Sequence, residues 1–174
     1  KRTFAPNSPM ELPRVAPGSN ADVEAESQHQ ARNVDSHYWK TVPEENGFPA
    51  HLQAFPSNNR VSDRKNIANA SPGVEYAVLF DQPGTYYLWV KGQGEPGGAS
   101  IVPGLDGVPL GANADFMGFF PDKFTWLGGL HDGGERAVMQ IGSAGEHRVI
   151  FWMLEDGFRF DKFLITADAN FVPE

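Results

Sequence analysis

The chain has 174 residues, a formal net charge of −8 and no cysteine. This length suits one domain, or one domain with a tail, and allows a sizeable buried core. Without cysteine the chain has neither disulfides nor thiolate metal sites. Its 14 basic residues are scattered, which argues against nucleic acid and against an anionic membrane surface as partners. No stretch is long and apolar enough to span a membrane.

Residues 1–20 are predicted to be a linker or flexible tail, because they contain four prolines and show no apolar periodicity. We expect a single module to occupy residues 21–174. The chain begins with Lys1 rather than Met, which we interpret as the start of a processed or excised fragment.

Beyond the tail, the sequence is typical of many short strands joined by tight turns. It contains 19 glycines and 14 prolines, with aromatic residues interleaved throughout. Apolar side chains recur at every second position in 73–81 and 84–91, and Asp106-Gly107 is a type I′ turn signal. Further strands are predicted at 22–27, 51–55, 99–106, 123–127, 136–142, 145–153 and 158–166. The predicted fold is all-β, an antiparallel two-sheet β-sandwich of the jelly-roll kind.

Three segments carry a resemblance to a known family. They are VEAES at 23–27, FDQPGTYYLWVKGQG at 80–94 with VPGLDG at 102–107, and SAGEHRVIFWMLEDGFRFDKFLIT at 143–166. In this order and spacing they resemble the calcium-containing β-sandwich carbohydrate-binding modules related to families 6 and 35. The resemblance covers residues 22–167.

The resemblance implies a non-catalytic, lectin-like module that targets an attached carbohydrate-active enzyme to a polysaccharide. It implies a polysaccharide or oligosaccharide as ligand, a covalently attached catalytic domain as neighbour, and a secreted or cell-surface location. Two alternatives stay open. One is a structural or adhesive module without a sugar pocket, and the other is a small polysaccharide lyase or glycoside hydrolase.

The resemblance also implies a structural calcium ion, held by Glu24, Glu26 and Asp161. The chemistry is consistent, because residues i and i+2 of a strand share a face and two carboxylates there repel unless they are solvated, neutralised or bound to a metal. Calcium takes six to eight oxygen ligands, so carbonyl groups from the loop 44–49 would complete the shell. The alternative is an exposed acidic strand edge.

For the ligand, the resemblance places aromatic rings on two loops and polar groups on a third, before the last strand. The corresponding residues are Tyr38, Trp39, Phe119, Phe120, Glu155, Asp156 and Arg159. Such rings would stack on a sugar while the polar groups bind its hydroxyls. Glu155 and Asp156 favour a neutral sugar, although Arg159 and Lys162 leave an anionic one open. Alternatively, the rings fill the core and Glu155–Gly157 is only a turn.

Overall fold

The computed structural model describes residues 11–96, 98–131 and 134–174, and it confirms the two-sheet sandwich. In these ranges the strands β1 to β13 are, in order, Arg14–Val15, Ala21–Glu24, Gln30–Arg32, Tyr38–Val42, His51–Phe55, Gly73–Phe80, Gly84–Gln93, Ile101–Leu105, Val108–Pro109, Thr125–Leu127, Val138–Ile141, Gly145–Met153 and Arg159–Thr166. Two 3-10 helices, Ala25–Ser27 and Arg64–Asn66, and one helical turn, α1 at Ile67–Ala70, accompany them. None of the helices in the described ranges could cross a membrane.

Each sheet is built around a pair of long strands. In the first sheet the order is β1-β6-β12-β8-β9, and β3 also pairs with β6. In the second sheet the order is β10-β7-β13-β5-β4, with β11 on β7 and β2 on β13. The pairs are antiparallel except for β1, which runs parallel to the end of β6.

The core between the sheets is aromatic. Tyr76 of β6 and Phe151 of β12 face Phe160 and Phe163 of β13, and all four side chains are fully buried. Their ring centroids lie 4.7 Å apart for Phe151 and Phe160, and 4.8 Å apart for Tyr76 and Phe163. Tilted and edge-to-face contacts at such distances are favoured by the ring quadrupole. This cluster therefore fixes which side chains of β13 and β12 point inward.

Alternation along β12 sends its other apolar side chains to the outer face of the first sheet. There Ile150 and Trp152 pack against Ile67 of α1 and Phe116 of the loop after β9. This second cluster covers that face, so the helical turn and the loop have a packing role.

The segment predicted as a linker carries β1, which is a correction to the predicted boundary. Val15 is fully buried, and Leu79 donates its backbone N–H to the carbonyl of Pro13. A two-residue strand is too short to produce a periodic signal, so the sequence pattern does not indicate it. Residues 1–10 of the predicted linker lie outside the described residues.

A histidine on β12 is held at both ring nitrogens by oxygen acceptors. His147 Nδ1 lies 2.6 Å from Asp106 Oδ2, and Nε2 lies 2.8 Å from the carbonyl of Ser143. The hydrogen bond to the Asp106 carboxylate raises the pKa of His147, partial burial opposes it, and the Ser143 carbonyl adds to it. The imidazolium thus ties the predicted turn, in which Asp106 and Gly107 both have positive φ, to β12.

The hydrogen bonds of His147 to Asp106 and Ser143 predict a pH-dependent contribution to stability. Because folding raises the pKa of His147, the contribution is complete below the unfolded histidine pKa of about 6.5 and is lost as pH rises through the folded pKa. The excess melting temperature of wild type over His147→Gln should therefore shrink as the pH rises above about 6.5. Asp106→Asn, which tolerates positive φ, should reduce that pH dependence. A constant difference between wild type and His147→Gln across this range would contradict the assignment.

Candidate functional site

Three strands of the second sheet bring polar side chains together on its outer face. Lys40 of β4 pairs with Gln53 of β5, and Gln53 pairs with Arg159 of β13. Directly opposed residues in antiparallel strands share a face, and Phe160 next to Arg159 points into the core. Lys40, Gln53 and Arg159 therefore form a row across the outer face, which we call the polar row.

Aromatic rings lie beside the polar row along the strands. Tyr38 is opposite Phe55, with ring centroids 6.2 Å apart, and the Tyr38 side chain is exposed. On the other side of the row, His51 is opposite Val42 and contacts Phe124 at a centroid distance of 5.5 Å. From Tyr38 to Val42 the strand advances by roughly 13 Å, enough to accommodate more than one sugar ring.

The connection between β4 and β5 forms one wall of a groove. Asn46 and Gly47 have positive φ angles of 50° and 82°, and Glu45 and Phe48 exchange both backbone hydrogen bonds across them. This two-residue turn presents the Phe48 ring, which is 50% exposed. The groove has a volume of about 260 Å³ and is lined by Val42, Pro43, Glu45, Asn46, Phe48, His51, Gln53 and Arg159. We call it the outer groove.

His51 lines the outer groove with an unpaired acceptor position. Its Nδ1 lies 2.9 Å from the carbonyl of Pro49, which can only accept, so Nδ1 carries a hydrogen. Its Nε2 is buried and has no partner in the described part of the chain. A buried polar atom without a partner is costly, so Nε2 of His51 lowers the stability of the fold.

Arg159 is oriented by an acidic neighbour. Its Nη2 donates to Glu95 Oε2 at 3.3 Å, and Ser57 donates its hydroxyl to the other Glu95 oxygen at 2.8 Å. The Glu95 carboxylate lies where a Cβ atom on Gly157 would be, and Gly157 has a φ of 85°. Glycine at this turn therefore satisfies both the backbone conformation and the approach of Glu95 to Arg159.

Other cavities lack this combination of groups. A cavity of about 320 Å³ on the outer face of the first sheet has Gln30, Arg32 and Glu75 in its lining, but its aromatic residue, Trp152, is buried. Another of about 350 Å³, beside Lys65 and Asn113, has no aromatic lining. The outer groove joins the exposed Phe48 ring to convergent polar groups, as ligand sites do.

Several solved structures with a similar sandwich are carbohydrate-binding modules. The C-terminal family 6 module of LamC, a marine laminarinase from Zobellia galactanivorans, matches 85% of this chain and 99% of its own at a TM-score of 0.55 and 14% identity. A family 35 carbohydrate-binding module from Clostridium thermocellum matches 86% and 99%, also at 0.55 and 14%. A family 6 module of Cellvibrio mixtus lichenase 5A, in complex with cellotriose, matches 85% and 97% at 0.54 and 15%. The chain has the fold of these carbohydrate-binding modules.

Similarity to known sequences covers less of the chain. No protein-family model matches the chain. Uncharacterized protein P23 of Formosa agariphila is 34% identical over 118 residues, which are 58% of this chain and 26% of that protein. The chain therefore spans about a quarter of the length of this curated relative.

Within this module fold, the two aromatic residues predicted on the first loop point in opposite directions. Their segment is a strand, β4, so Tyr38 lies on the outer face of the second sheet while Trp39 faces the core. Trp39 is 7% exposed, contacts Phe160 and donates its indole N–H to the carbonyl of Pro72 at 3.2 Å. Its placement as a ligand contact is corrected to a packing role.

The predicted acidic pair does not face the groove either. Asp156 is 1% exposed and accepts backbone N–H groups from Asn58, Asn59 and Arg60, besides contacting His37 Nε2 at 3.1 Å. Burial alone would raise the pKa of Asp156. The hydrogen bonds from the N–H groups of Asn58 and Arg60 and from His37 outweigh burial, so the pKa lies below its usual value. This carboxylate holds the loop after β5, which corrects its predicted sugar-binding role. Glu155 accepts the backbone N–H of Ala99 at 2.8 Å.

The predicted rings of the second loop are also divided. Phe120 is buried against Phe158 at a centroid distance of 4.9 Å, so it belongs to the core and its predicted role is corrected. Phe119 is 64% exposed and contacts Phe116 and His131. Because Phe116 covers the outer face of the first sheet, Phe119 lies away from Tyr38 and the outer groove.

The predicted metal ligands are neighbours, with Glu24 on β2, Asp161 on β13 and Glu26 in the 3-10 helix Ala25–Ser27, but lysines accompany them. Lys162 Nζ lies 2.9 Å from Glu24 Oε1, and Lys91 Nζ lies 3.5 Å from Asp161 Oδ2. Burial raises the pKa of Glu26 and of Asp161, and the charge of Glu24 raises both further. Glu26 Oε2 is buried without a hydrogen-bond partner. Among the described residues, no three His, Cys, Asp or Glu side chains are arranged to hold a metal ion.

Several residues of the polar row and the outer groove were not predicted from the sequence, namely Lys40, Phe48, His51 and Gln53. Two signals could have identified them. Asn46-Gly47 is a strong type I′ hairpin turn, and the residues on either side alternate between inward and outward positions. Applied to 38–42 and 51–55, these signals would have assigned Trp39 to the core and Lys40 and Gln53 to the outer face.

Substitutions at neighbouring positions of β4 should separate packing from binding. Trp39→Ala removes a buried indole and should lower the free energy of unfolding by about 3–5 kcal/mol. Tyr38→Ala removes a half-exposed ring and should lower it by less than about 1 kcal/mol. Urea denaturation of both variants measures the difference, and equal losses would contradict the inward position of Trp39.

Proposed function

We propose that the protein is a non-catalytic carbohydrate-binding module and that the outer groove is its sugar site. The observation that carries this proposal is the groove itself, in which the exposed Phe48 ring lies beside the polar side chains of Gln53 and Arg159, while the exposed Tyr38 ring lies on the same face of the sheet. Aromatic faces stack on the C–H patches of a sugar ring, and amide and guanidinium groups bind its hydroxyls. The shared fold of the laminarinase and lichenase modules supports the same function.

We propose further that the module directs an attached carbohydrate-active enzyme to a polysaccharide outside the cell. Two of the similar folds belong to a laminarinase and a lichenase, which supports an enzyme as neighbour. A module of this kind raises the local concentration of its enzyme on a polymeric substrate, because the second binding event becomes intramolecular.

The sugar site is tested by calorimetric titration against a panel of soluble glycans. A glycan that binds should bind roughly tenfold more weakly to Tyr38→Ala and to Phe48→Ala, because each variant removes a stacking ring. Phe119→Ala is the matched control, since it removes an exposed ring that lies away from the groove. Loss of binding in Phe119→Ala alone would move the site to the other loop.

The same experiment separates the alternatives. A structural or adhesive module should bind no glycan on the panel. A small lyase or hydrolase should release reducing sugars or unsaturated uronates from a polysaccharide it binds, and the purified chain is expected to release neither.

We propose that calcium stabilises the module at Glu24, Glu26 and Asp161. The support is chemical, because Glu26 and Asp161 are acids whose pKa values burial raises, and one Glu26 oxygen lacks a partner. A divalent cation would relieve the repulsion among the three carboxylates and join β2, β13 and the 3-10 helix between β2 and β3.

Calcium should therefore raise the melting temperature by several degrees, and EDTA should reverse the effect. Glu26→Gln should abolish the calcium response. In EDTA this variant should be at least as stable as wild type at pH 7, because the raised pKa means that the ionised Glu26 carboxylate opposes folding. Glu146→Gln, an exposed position on β12, is the control. Melting curves that are identical with calcium and with EDTA would contradict the site.

A further inference from the structure

We propose that the polar row beside the outer groove binds an anionic sugar residue, whose carboxylate or sulfate group is held between Lys40 and Arg159. This inference rests on the proposed sugar site and specifies its class of ligand. It depends on the polar row, in which two cationic side chains flank one amide.

The backbone spacing of the polar row allows one anion to contact both cations. Lys40 and Arg159 are separated by one strand, so their backbones lie about 10 Å apart across two strand spacings. Both side chains are long and lie on the same face as Gln53. An oxyanion above Gln53 would thus be within reach of an ammonium group on one side and a guanidinium group on the other, with an amide donor between them.

The charges near the row leave both cations available to a ligand. No carboxylate in the described ranges lies within 4 Å of the Lys40 amine. Arg159 donates only its Nη2 to a described acceptor, Glu95, so Nη1 and Nε are free to bind a planar anion. The other lysines of the outer face are already paired, Lys91 with Asp161 and Lys162 with Glu24.

The acidic groups that favoured a neutral ligand are engaged elsewhere. Asp156 is buried beneath the loop 58–60, and Glu155 is bonded to Ala99. Glu45 lines the groove and is the carboxylate an anionic ligand would have to avoid. The net charge of −8 acts at longer range, where physiological salt screens it over about 8 Å.

The test compares matched pairs of ligands that differ in charge. Short oligogalacturonates are titrated against their methyl esters, and a sulfated galactan against its desulfated form. The acidic member of at least one pair should bind more tightly by about tenfold or more, and its affinity should fall as salt rises. The pair that shows the difference identifies carboxylate or sulfate as the recognised group.

Three substitutions test the residues. Lys40→Gln and Arg159→Gln should each weaken binding of the acidic ligand by about tenfold. Glu95→Gln should strengthen it, because the substitution removes the anion that competes for Arg159. Lys65→Gln, an exposed lysine on the 3-10 helix before α1, is the matched control and should bind like wild type. Lys40 is exposed, so its variant is expected to fold, and melting curves verify this for each protein.

The outcomes separate this inference from the proposed function. If charged and uncharged members of both pairs bind equally with the same dependence on Tyr38, the sugar site stands and the anionic ligand is wrong. If no glycan binds at all, both proposals are wrong. If the acidic ligand is preferred but Lys40→Gln and Arg159→Gln bind it like wild type, the polar row is not the anion site.

Discussion

The contact of Phe160 with Phe151 and Trp39 determines how the second sheet presents its side chains. Phe160 is fully buried, with its ring centroid 4.7 Å from Phe151 and 6.4 Å from Trp39. Because successive side chains of a strand point to opposite faces, an inward Phe160 requires an outward Arg159, and an inward Trp39 requires an outward Lys40. A shift of one residue in either strand would exchange core and ligand faces together. The packing of the core therefore determines which side chains the second sheet presents to the outer groove.

Buried polar contacts then hold the loops around this sheet. The Asp156 carboxylate alone receives backbone N–H groups from three consecutive residues, and it also contacts the buried His37. Such a carboxylate is costly to bury and is retained where its hydrogen bonds are complete. The turn that contains it also brings Gly157 beside Glu95, which orients Arg159. Residues 156–159 therefore connect the loop after β5 to Arg159 in the outer groove.

The fold could be predicted from the sequence because its long strands alternate clearly. The strand at 51–55 was predicted with the observed limits, and 145–153 likewise. The site was predicted less well, because a resemblance gives residues without giving their directions. Tyr38 and Trp39 were assigned to one loop, whereas pairing with β5 makes them a strand that separates the two rings. The structural role of Asp156 could not be predicted from the sequence. Its carboxylate oxygens accept hydrogen bonds from backbone N–H groups of residues 58–60, about a hundred residues earlier in the chain.

The short strand β1 bears on the solubility of the protein. Along β6, Gly73–Glu75 pair with β3, whereas Leu79 and Phe80 pair with Arg14 and Val15. A shortened chain that began at Ala21 would leave the backbone groups of Leu79 and Phe80 without that pairing. Unpaired N–H and C=O groups at the border of a sheet can add strands from other molecules, which leads to aggregation. Arg14–Val15 therefore cover this part of the border of the first sheet.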